Sequence, residues 1–193
     1  MKKISLLFCF FLSVGAFAQT SSDSIVSPIV AKKNEIKIDV LNLISNGRVG
    51  ISYERFLKHD FSVGVTGVFL NKASKEDDFP TDDTRTLIDY QVIPYVRYAL
   101  SKSAANLYYV EAFSSINGGQ YKELTTLNNG AADYVVTTVK DYNDVAIGAS
   151  IGYKFYIKES FVIDLTLGMG KNLFHADSPE TISRIGINVG YRF

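Results

Sequence analysis

Apolar and polar residues alternate with a period of two along most of this chain, which predicts strands with two unlike faces. The clearest run lies near the C-terminus, where one parity is wholly apolar and the other is polar or Gly. The apolar parity there comprises Ile185, Ile187, Val189, Tyr191 and Phe193. Eight such segments are predicted as strands, at residues 35–44, 48–57, 61–70, 86–100, 106–116, 145–157, 161–170 and 181–193. The chain is therefore predicted to be all-β.

The lengths of the connections alternate between short and long. Those after the second, fourth and sixth predicted strands are short, and those after the third, fifth and seventh are longer. The first hairpin is also short and contains Asn46-Gly47, a strong turn signal. Short turns at one rim and long loops at the other are typical of outer-membrane barrels. We therefore expect an eight-stranded antiparallel up-and-down transmembrane β-barrel, with both ends of the barrel chain on the periplasmic side.

The longest connection, residues 117–144, contains alternation of its own. Segments 119–127 and 133–140 flank Asn128-Asn129-Gly130, which predicts a hairpin that continues beyond the membrane. Such a hairpin could add a strand to a surface partner or could cap the barrel. The sequence leaves both interpretations open.

Alternation does not decide which face meets lipid, because a soluble lipocalin-type barrel also alternates, with its apolar parity inward. Two features favour an apolar exterior here: aromatic residues lie at the ends of the apolar parity, as in membrane girdles, and the opposite parity combines Gly with balanced charges. The expected lumen charges are Lys37, Arg97, Lys154, Arg184 and Arg192 against Asp39, Glu54, Asp89, Glu111 and Asp164.

An eight-stranded barrel is just wide enough inside for its own side chains. Unpaired buried charges are costly, so the five bases and five acids are expected to pair and plug the lumen. Gly residues on the same parity are expected to leave room for the long charged side chains. An ion or proton path through the same network is the alternative.

The first eighteen residues have the organisation of a secretory signal. Lys2 and Lys3 precede an apolar run at 4–14, and Ala16-Phe17-Ala18 supplies an A-x-A cleavage site. The predicted organisation is a signal peptide at 1–18, a flexible periplasmic segment at 19–34 and the barrel at 35–193. Acylation of Cys9 as a lipoprotein is the rival interpretation, and the large Phe8 before it disfavours that pattern.

Composition excludes several functional classes. Lys and Arg total 20, as do Asp and Glu, so nothing indicates nucleic-acid binding. The single Cys lies in the predicted signal, which leaves a mature chain without disulfides, thiol nucleophiles or Cys-ligated metals. No cofactor and no metal site is expected.

The chain resembles the small outer-membrane β-barrel proteins of Bacteroidota, a family largely of unknown function. The segments that carry the resemblance are 36–43 (IKIDVLNL), 50–56 (GISYERF) and 94–98 (PYVRY). It implies the barrel fold and a location in the cell outer membrane. We therefore expect a monomer surrounded by outer-membrane lipid and lipopolysaccharide. The family resemblance transfers no catalytic residue.

The last strand, apolar outward and ending on Phe193, resembles the C-terminal strand of bacterial outer-membrane β-barrels in general. That resemblance implies that Val189, Tyr191 and Phe193 are the signal read by the barrel assembly machinery.

Candidate chemistry is sparse. His175-Ala176-Asp177-Ser178 contains the residue types of a Ser/His hydrolase, but departs from the His-x-Ser-Asn pattern of lipid A deacylases. His59 lies in a predicted turn, and the acidic segment 75–83 could hold a divalent cation or remain a solvated loop. The predicted function is a structural or surface-interaction role without catalysis. A lipid-modifying enzyme that uses His175 and Ser178, or a narrow channel, are the alternatives.

Overall fold

A computed structural model describes residues 32–58, 60–70, 86–100, 106–128, 133–174 and 178–193. The strands are β1 (Asn34–Asp39), β2 (Arg48–Phe56), β3 (Phe61–Leu70), β4 (Thr86–Ala99), β5 (Asn106–Asn128), β6 (Asp133–Ile157), β7 (Phe161–Asn172) and β8 (Thr181–Arg192). They close into a barrel in chain order, every neighbouring pair antiparallel, with β8 pairing back to β1. The predicted eight-stranded up-and-down barrel is confirmed.

The sequence prediction for the first strand was wrong in its second half. Residues predicted to continue the strand to 44 instead form a short helix, α1 (Val40–Asn46). Asp39 caps it by accepting a hydrogen bond from the backbone N–H of Asn42, and Gly47 ends it at a φ of 61°. Gly has no Cβ to clash in this left-handed conformation, which is why it terminates the helix so readily. Asn46-Gly47 is therefore a helix end and not a two-residue hairpin turn.

Pro94 interrupts one ladder without shifting its register. It pairs with Val65 of β3, but the β4–β5 ladder has no pair at residues 93 and 94, and the register is the same on either side. Because Pro lacks an N–H, a missing ladder bond is the simplest way to accommodate it. The bulge in this ladder lies elsewhere, between Ile88 and Tyr90.

The exterior of the barrel is a continuous apolar band. Examples from four strands are Ile51, Ile151, Leu167 and Ile185, each exposed by more than half. A water-soluble monomer rarely exposes so large an apolar surface, whereas a closed barrel with this exterior satisfies every strand edge within a bilayer. Apolar residues face outward and the lipocalin-type alternative is excluded. Within the described residues, no helix is long and apolar enough to cross a membrane.

Aromatic rings form a girdle at the rim with short turns, which is the periplasmic rim in barrels of this kind. Phe61 contacts Tyr98 with ring centroids 5.0 Å apart, and Phe161 contacts Tyr191 at 5.6 Å. Each pair is formed by directly opposed residues of neighbouring strands. The rings therefore lie where interfacial aromatic residues anchor a barrel in the bilayer.

Several sequence predictions concern residues outside the described part of the chain. They are the signal peptide at 1–18, nearly all of the segment 19–34, His59, the acidic segment 75–83 and His175. Each stays a prediction.

Candidate functional site

The periplasmic half of the lumen contains a network of buried ion pairs. Lys37 of β1 is its first node: its Nζ lies 2.6 Å from Glu54 Oε2 on β2 and 2.7 Å from Asp164 Oδ2 on β7. All three side chains are at most 1% exposed. Because the alternating pattern directs apolar side chains to the lipid, it directs these charged side chains into the lumen. There each charge can be compensated only by the other charges and by a few hydroxyl groups.

Arg97 of β4 is the second node and binds three carboxylates. Its Nη1 lies 2.7 Å from Glu54 Oε2 and 2.8 Å from Asp164 Oδ2, and its Nε lies 2.6 Å from Glu111 Oε2. Glu111 is the directly opposed residue on β5. A guanidinium group suits this position because its five N–H donors can serve several carboxylates in one plane.

Two tyrosine rings enclose the Arg97 guanidinium. Its central carbon lies 4.5 Å from the centroid of Tyr95 and 4.1 Å from that of Tyr109, within the range of cation–π contact. The Tyr109 hydroxyl also donates to Asp164 Oδ1 at 2.7 Å. The cation is thus held by carboxylates at its edge and by rings at its faces.

Two lumen glycines make this arrangement possible. A Cβ added to Gly64 would lie 2.3 Å from Cζ of Tyr95, and one added to Gly152 would lie 2.2 Å from Cζ of Tyr109. Any side chain at these positions would displace the rings. The sequence predicted that lumen glycines leave space for charged side chains; at these two positions they leave space for the tyrosines that stack on Arg97.

Glu35 also belongs to the network, although it is not one of the ten predicted lumen charges. Its Oε2 lies 2.7 Å from Lys154 Nζ, and its Oε1 accepts a hydrogen bond from the Tyr156 hydroxyl at 2.9 Å. Lys154 also lies 2.8 Å from Glu54 Oε1. Glu35 has the same parity as Lys37 and Asp39, so the alternating pattern already indicated that its side chain faces the lumen. It was not predicted as a lumen charge because it stands at the predicted start of the strand.

Arg184 of β8 completes the network on the extracellular side. Its Nε lies 2.5 Å from Glu111 Oε1 and its Nη2 lies 3.3 Å from Oε2. Its guanidinium also lies 5.2 Å from the ring centroid of Tyr95. Among the described residues, the network pairs four bases with four acids, contributed by every strand except β3. They are Lys37, Arg97, Lys154 and Arg184 with Glu35, Glu54, Glu111 and Asp164.

The remaining three predicted lumen charges lie apart from these pairs. Asp39 is buried but caps α1. Arg192 is 1% exposed and donates from Nε to the backbone oxygen of Lys32 at 2.9 Å, with its guanidinium 4.9 Å from the ring centroid of Tyr156. Asp89 is half-buried at the bulge of β4, toward the extracellular rim.

A second polar cluster fastens the β7–β8 connection to the rim. Asp144 Oδ1 accepts the backbone N–H of Phe174 at 3.0 Å, and its Oδ2 accepts a hydrogen bond from the Ser178 hydroxyl. Asn172 donates to the backbone oxygen of Pro179 at 2.8 Å. Ser178, the candidate nucleophile of the enzyme alternative, thus lies against a carboxylate that also anchors its own loop.

The chemistry available in the lumen is that of a compensated polar core. Acids and bases of the network are matched, and nearly every carboxylate oxygen accepts a cation or a hydroxyl donor. Among the described residues, no three His, Cys, Asp or Glu side chains gather as a metal site. The arrangement binds the strands to one another across the lumen.

No protein-family model matches the sequence, and no curated protein matches it either. Solved structures do match the fold. The N-terminal β-barrel domain of Pseudomonas aeruginosa OprF is similar at 17% identity and a TM-score of 0.50, over 84% of this chain and 98% of that one.

Two further solved structures are similar over most of the chain. The attachment invasion locus protein Ail of Yersinia pestis is 12% identical with a TM-score of 0.46, over 84% of this chain and 99% of that one. Neisserial surface protein A is 13% identical with a TM-score of 0.46, over 83% and 95%. The similarity to the OprF domain shows the eight-stranded barrel fold. The narrower resemblance to Bacteroidota proteins stays a prediction.

The fold and its surface together define the location of the protein. A closed antiparallel barrel with an apolar, aromatic-flanked exterior and a polar interior has the architecture of outer-membrane β-barrels. The protein is a transmembrane β-barrel of the cell outer membrane.

Proposed function

We propose that this protein is a monomeric, plugged outer-membrane barrel that presents the β5–β6 hairpin to a partner at the cell surface and catalyses no reaction. The observation that carries the proposal is the length of this hairpin. β5 and β6 contain 23 and 25 residues, whereas β2, β3, β7 and β8 contain 9 to 12. About 9–11 residues suffice for a tilted strand to cross the bilayer. The remainder extends beyond the barrel.

One edge of the projecting hairpin has no described neighbour. The β6–β7 ladder begins only at Ala146, and no described strand pairs with the outer edge of β6 from Asp133 to Asn143. On the other side, β4 follows β5 only as far as Tyr121. An exposed strand edge can accept an extended segment of another protein as an additional strand. We infer that the surface partner supplies such a segment.

The side chains of the hairpin suit contact with a protein. Val136 and Val139 are each more than one-third exposed, and Leu124 is half exposed. Lys140 forms an ion pair with Glu123 on the opposing strand at 2.9 Å. Apolar side chains among cross-strand charge pairs provide a surface that an apolar segment can cover at little cost in desolvation.

Photo-crosslinking in living cells tests this proposal. A benzophenone amino acid at Val136 or Val139 is expected to form a crosslink to protein, while the same group at Ile151, on the lipid face of β6, is expected to react with lipid only. Shortening the hairpin by removing residues 122–139 should abolish partner binding and leave the barrel folded. A hairpin that forms no protein crosslink, or a partner that still binds the shortened variant, would contradict the proposal.

The ion-pair network supports the view that the lumen is plugged. Arg97 of β4, Lys37 of β1 and Asp164 of β7 meet inside the lumen, where the ring of Tyr109 stacks on Arg97. The narrow-channel alternative predicts discrete conductance steps in planar bilayers. We expect only leak-level conductance, and discrete steps would favour the channel.

The lipid-modifying alternative requires His175 and Ser178 to act together. Ser178 is bound to Asp144, and His175 lies outside the described residues. Replacement of Ser178 by Ala is expected to leave the acylation of lipid A unchanged. A change in acylation that depends on both residues would establish the enzyme instead.

The interpretation of β8 as an assembly signal is part of the same proposal. Tyr191 and Phe193 face outward and are about half exposed, and Phe193 exchanges backbone hydrogen bonds with Asn34 at the seam that closes the barrel. We propose that the assembly machinery reads Val189, Tyr191 and Phe193 before this seam forms.

A further inference from the structure

Backbone ladders close the wall of the barrel except at one place, the extracellular half of the β1 position. The β1–β8 ladder ends at the pair Asp39↔Asn188, and the β1–β2 ladder ends at Ile38↔Ile51. Beyond these pairs β1 gives way to α1, so no described strand pairs with the β1-facing edge of β8 from residue 181 to 187. Because one strand is missing between two others, the gap between β2 and β8 is about 10 Å wide.

This gap lies at the depth of the membrane. Tyr191 belongs to the periplasmic girdle, and the roughly ten residues that a tilted strand needs to cross the bilayer extend from there to about residue 182. Ile185 and Ile187, in the unpaired stretch, are exposed apolar residues of the exterior. Unpaired strand edges at this depth are tolerated only where protein or a water-filled cavity covers them.

α1 covers the gap without joining the ladders. It packs against both β2 and β8, and a helix with its side chains is about 10–12 Å wide, which matches the gap. Ile44 of α1 is 81% exposed on the exterior, whereas Leu41 and Ser45 line a cavity on the lumen side. Because a helix uses its backbone groups internally, α1 is held against the two strands by side-chain packing and not by a ladder.

A cavity of about 230 Å³ lies directly behind α1 in the lumen. Arg184, Ile185 and Gly186, from the unpaired edge of β8, line it. Ile185 is also 51% exposed on the exterior, so the cavity reaches the barrel wall at the gap. An apolar cavity of about 150 Å³ binds benzene, and by the same proportion this one accommodates a molecule of roughly nine heavy atoms.

Gln91 gives the cavity an unused hydrogen-bonding group. It lies on β4, across the lumen from the gap, and is 7% exposed. Its side-chain amide lines the cavity and forms no hydrogen bond with a described residue. A primary amide offers two donors and an acceptor, and burying such a group is costly unless it is hydrogen-bonded. Apolar side chains, among them Val68 and Ile93, line the same space.

The charged side chains of the cavity wall are each held by a neighbour, through an ion pair, a longer-range attraction or hydrogen bonds. They are Arg97 with Asp164, Arg184 with Glu111, Arg48 with Asp89 and Tyr142, and Asp39 with the two amide groups of Asn42. A charged ligand would lose its hydration on entering the cavity and would find no unheld charge there in exchange. The lining therefore favours an uncharged molecule with an apolar body and one hydrogen-bonding group.

We propose that the gap between β2 and β8 is a lateral portal through which a small uncharged amphipathic molecule passes from the membrane into the lumen cavity. Its apolar part would lie against Val68 and Ile93, and its hydroxyl or carbonyl group would bind the Gln91 amide. α1 is the movable part of the portal, because no ladder fixes it to the wall. The ion-pair network closes the lumen on the periplasmic side, so the cavity is a binding site and not a passage.

Photolabelling in lipid bilayers with a hexanol that carries a diazirine group tests the binding site. Mass spectrometry is expected to find label on Ile93 in the lumen as well as on Ile151 of the lipid face. Excess hexan-1-ol should reduce the label on Ile93 at least several-fold and leave the label on Ile151 unchanged, whereas hexanoate and hexylammonium should reduce neither. Absence of label on Ile93 would exclude the site, and equal competition by a charged analogue would overturn its preference for an uncharged molecule.

Two variants of α1 test the portal. Ser45→Trp places a bulky ring on the cavity side of the helix and is expected to reduce the label on Ile93 at least several-fold. Ile44→Trp is the matched control, because Ile44 is exposed on the exterior and does not line the cavity. Unchanged labelling of Ile93 in Ser45→Trp would mean that the probe enters by another route and would overturn the portal.

A third variant tests the hydrogen bond. Gln91→Met removes the amide at nearly constant volume and is expected to lower the label on Ile93 about fivefold, the effect of one lost hydrogen bond. Unchanged labelling would remove Gln91 from the site. Heat-modifiable migration on gels establishes that each variant is folded, and the competition experiment on the unmodified protein stands even if a variant fails to fold.

Discussion

Arg97 Nη1 and Asp164 Oδ2 lie 2.8 Å apart although their strands, β4 and β7, are three strands apart in the barrel. This contact crosses the lumen, whereas the backbone ladders join only adjacent strands. The network therefore gives the barrel a set of internal cross-links that the ladders cannot provide.

Arg97→Met is expected to destabilise the barrel by about 3–5 kcal/mol, because it leaves three buried carboxylates without this cation. Equilibrium unfolding by urea in lipid vesicles measures the effect. Arg55→Met, an outward-facing substitution on β2, is the control and should change stability by no more than about 0.5 kcal/mol. Equal effects of the two substitutions would show that the network contributes no special stability.

Glu35 and Lys154 should be energetically coupled. Lys154→Met alone leaves the buried Glu35 carboxylate without its ion pair to Lys154, and Glu35→Gln alone removes one of the carboxylates that compensate the Lys154 ammonium group. The double variant is expected to be more stable than the sum of the single effects predicts, by about 0.5–3 kcal/mol. A double-mutant cycle by urea unfolding measures this coupling; additivity within error would place Glu35 outside the network.

Gly152→Ala should destabilise the protein more than Gly67→Ala. A Cβ at Gly152 would lie 2.2 Å from Tyr109 Cζ and 2.6 Å from the backbone oxygen of Leu165, whereas one at Gly67 would meet only the Phe69 ring, at 3.1 Å. Overpacking of this kind costs about 1–3 kcal/mol. Thermal unfolding of the two variants compares them, and a Gly152→Ala protein as stable as the Gly67→Ala protein would refute the close packing of Tyr109.

Asp144→Asn should loosen the β7–β8 connection without unfolding the barrel. Loss of the carboxylate weakens the hydrogen bonds from the Phe174 N–H and the Ser178 hydroxyl, and bonds to a charged acceptor are the stronger kind. The Phe174 amide is expected to exchange with deuterium at least several-fold faster. Asp141→Asn, on the same strand, is the control. Unchanged exchange at Phe174 would show that Asp144 does not hold the loop.

The alternation of apolar and polar residues was sufficient to predict the fold. Successive residues of a barrel strand face lipid and lumen in turn, and these two environments select very different side chains. It could not predict α1. Residues 40–46 carry apolar side chains at 40, 41, 43 and 44 without a clear period, and a helix of seven residues depends on its ends more than on its pattern. Asp39 before the segment and Gly47 after it were the available signals.

The lumen was harder to predict than the fold. Parity places a charge inside the barrel, but which charges meet depends on register and on reach across several strands. Asp39 and Arg192 have the correct parity, yet Asp39 caps α1 and Arg192 stacks on Phe56 and Tyr156. The tyrosines that enclose Arg97 follow from Gly64 and Gly152 on neighbouring strands, a relationship that only the register reveals.

The central claim is that apolar residues face lipid while the network closes the lumen. Spin labels placed singly along β7 at positions 163–167, in lipid bilayers, test it most directly. Labels at Ile163, Leu165 and Leu167 should collide readily with oxygen and poorly with a water-soluble nickel chelate, while labels at Asp164 and Thr166 should be protected from both. Ready access of the nickel chelate to labels at 164 and 166 would mean that the lumen is open to water. Ready collision with oxygen at 164 and 166, but not at 163, 165 and 167, would contradict the orientation of the barrel wall.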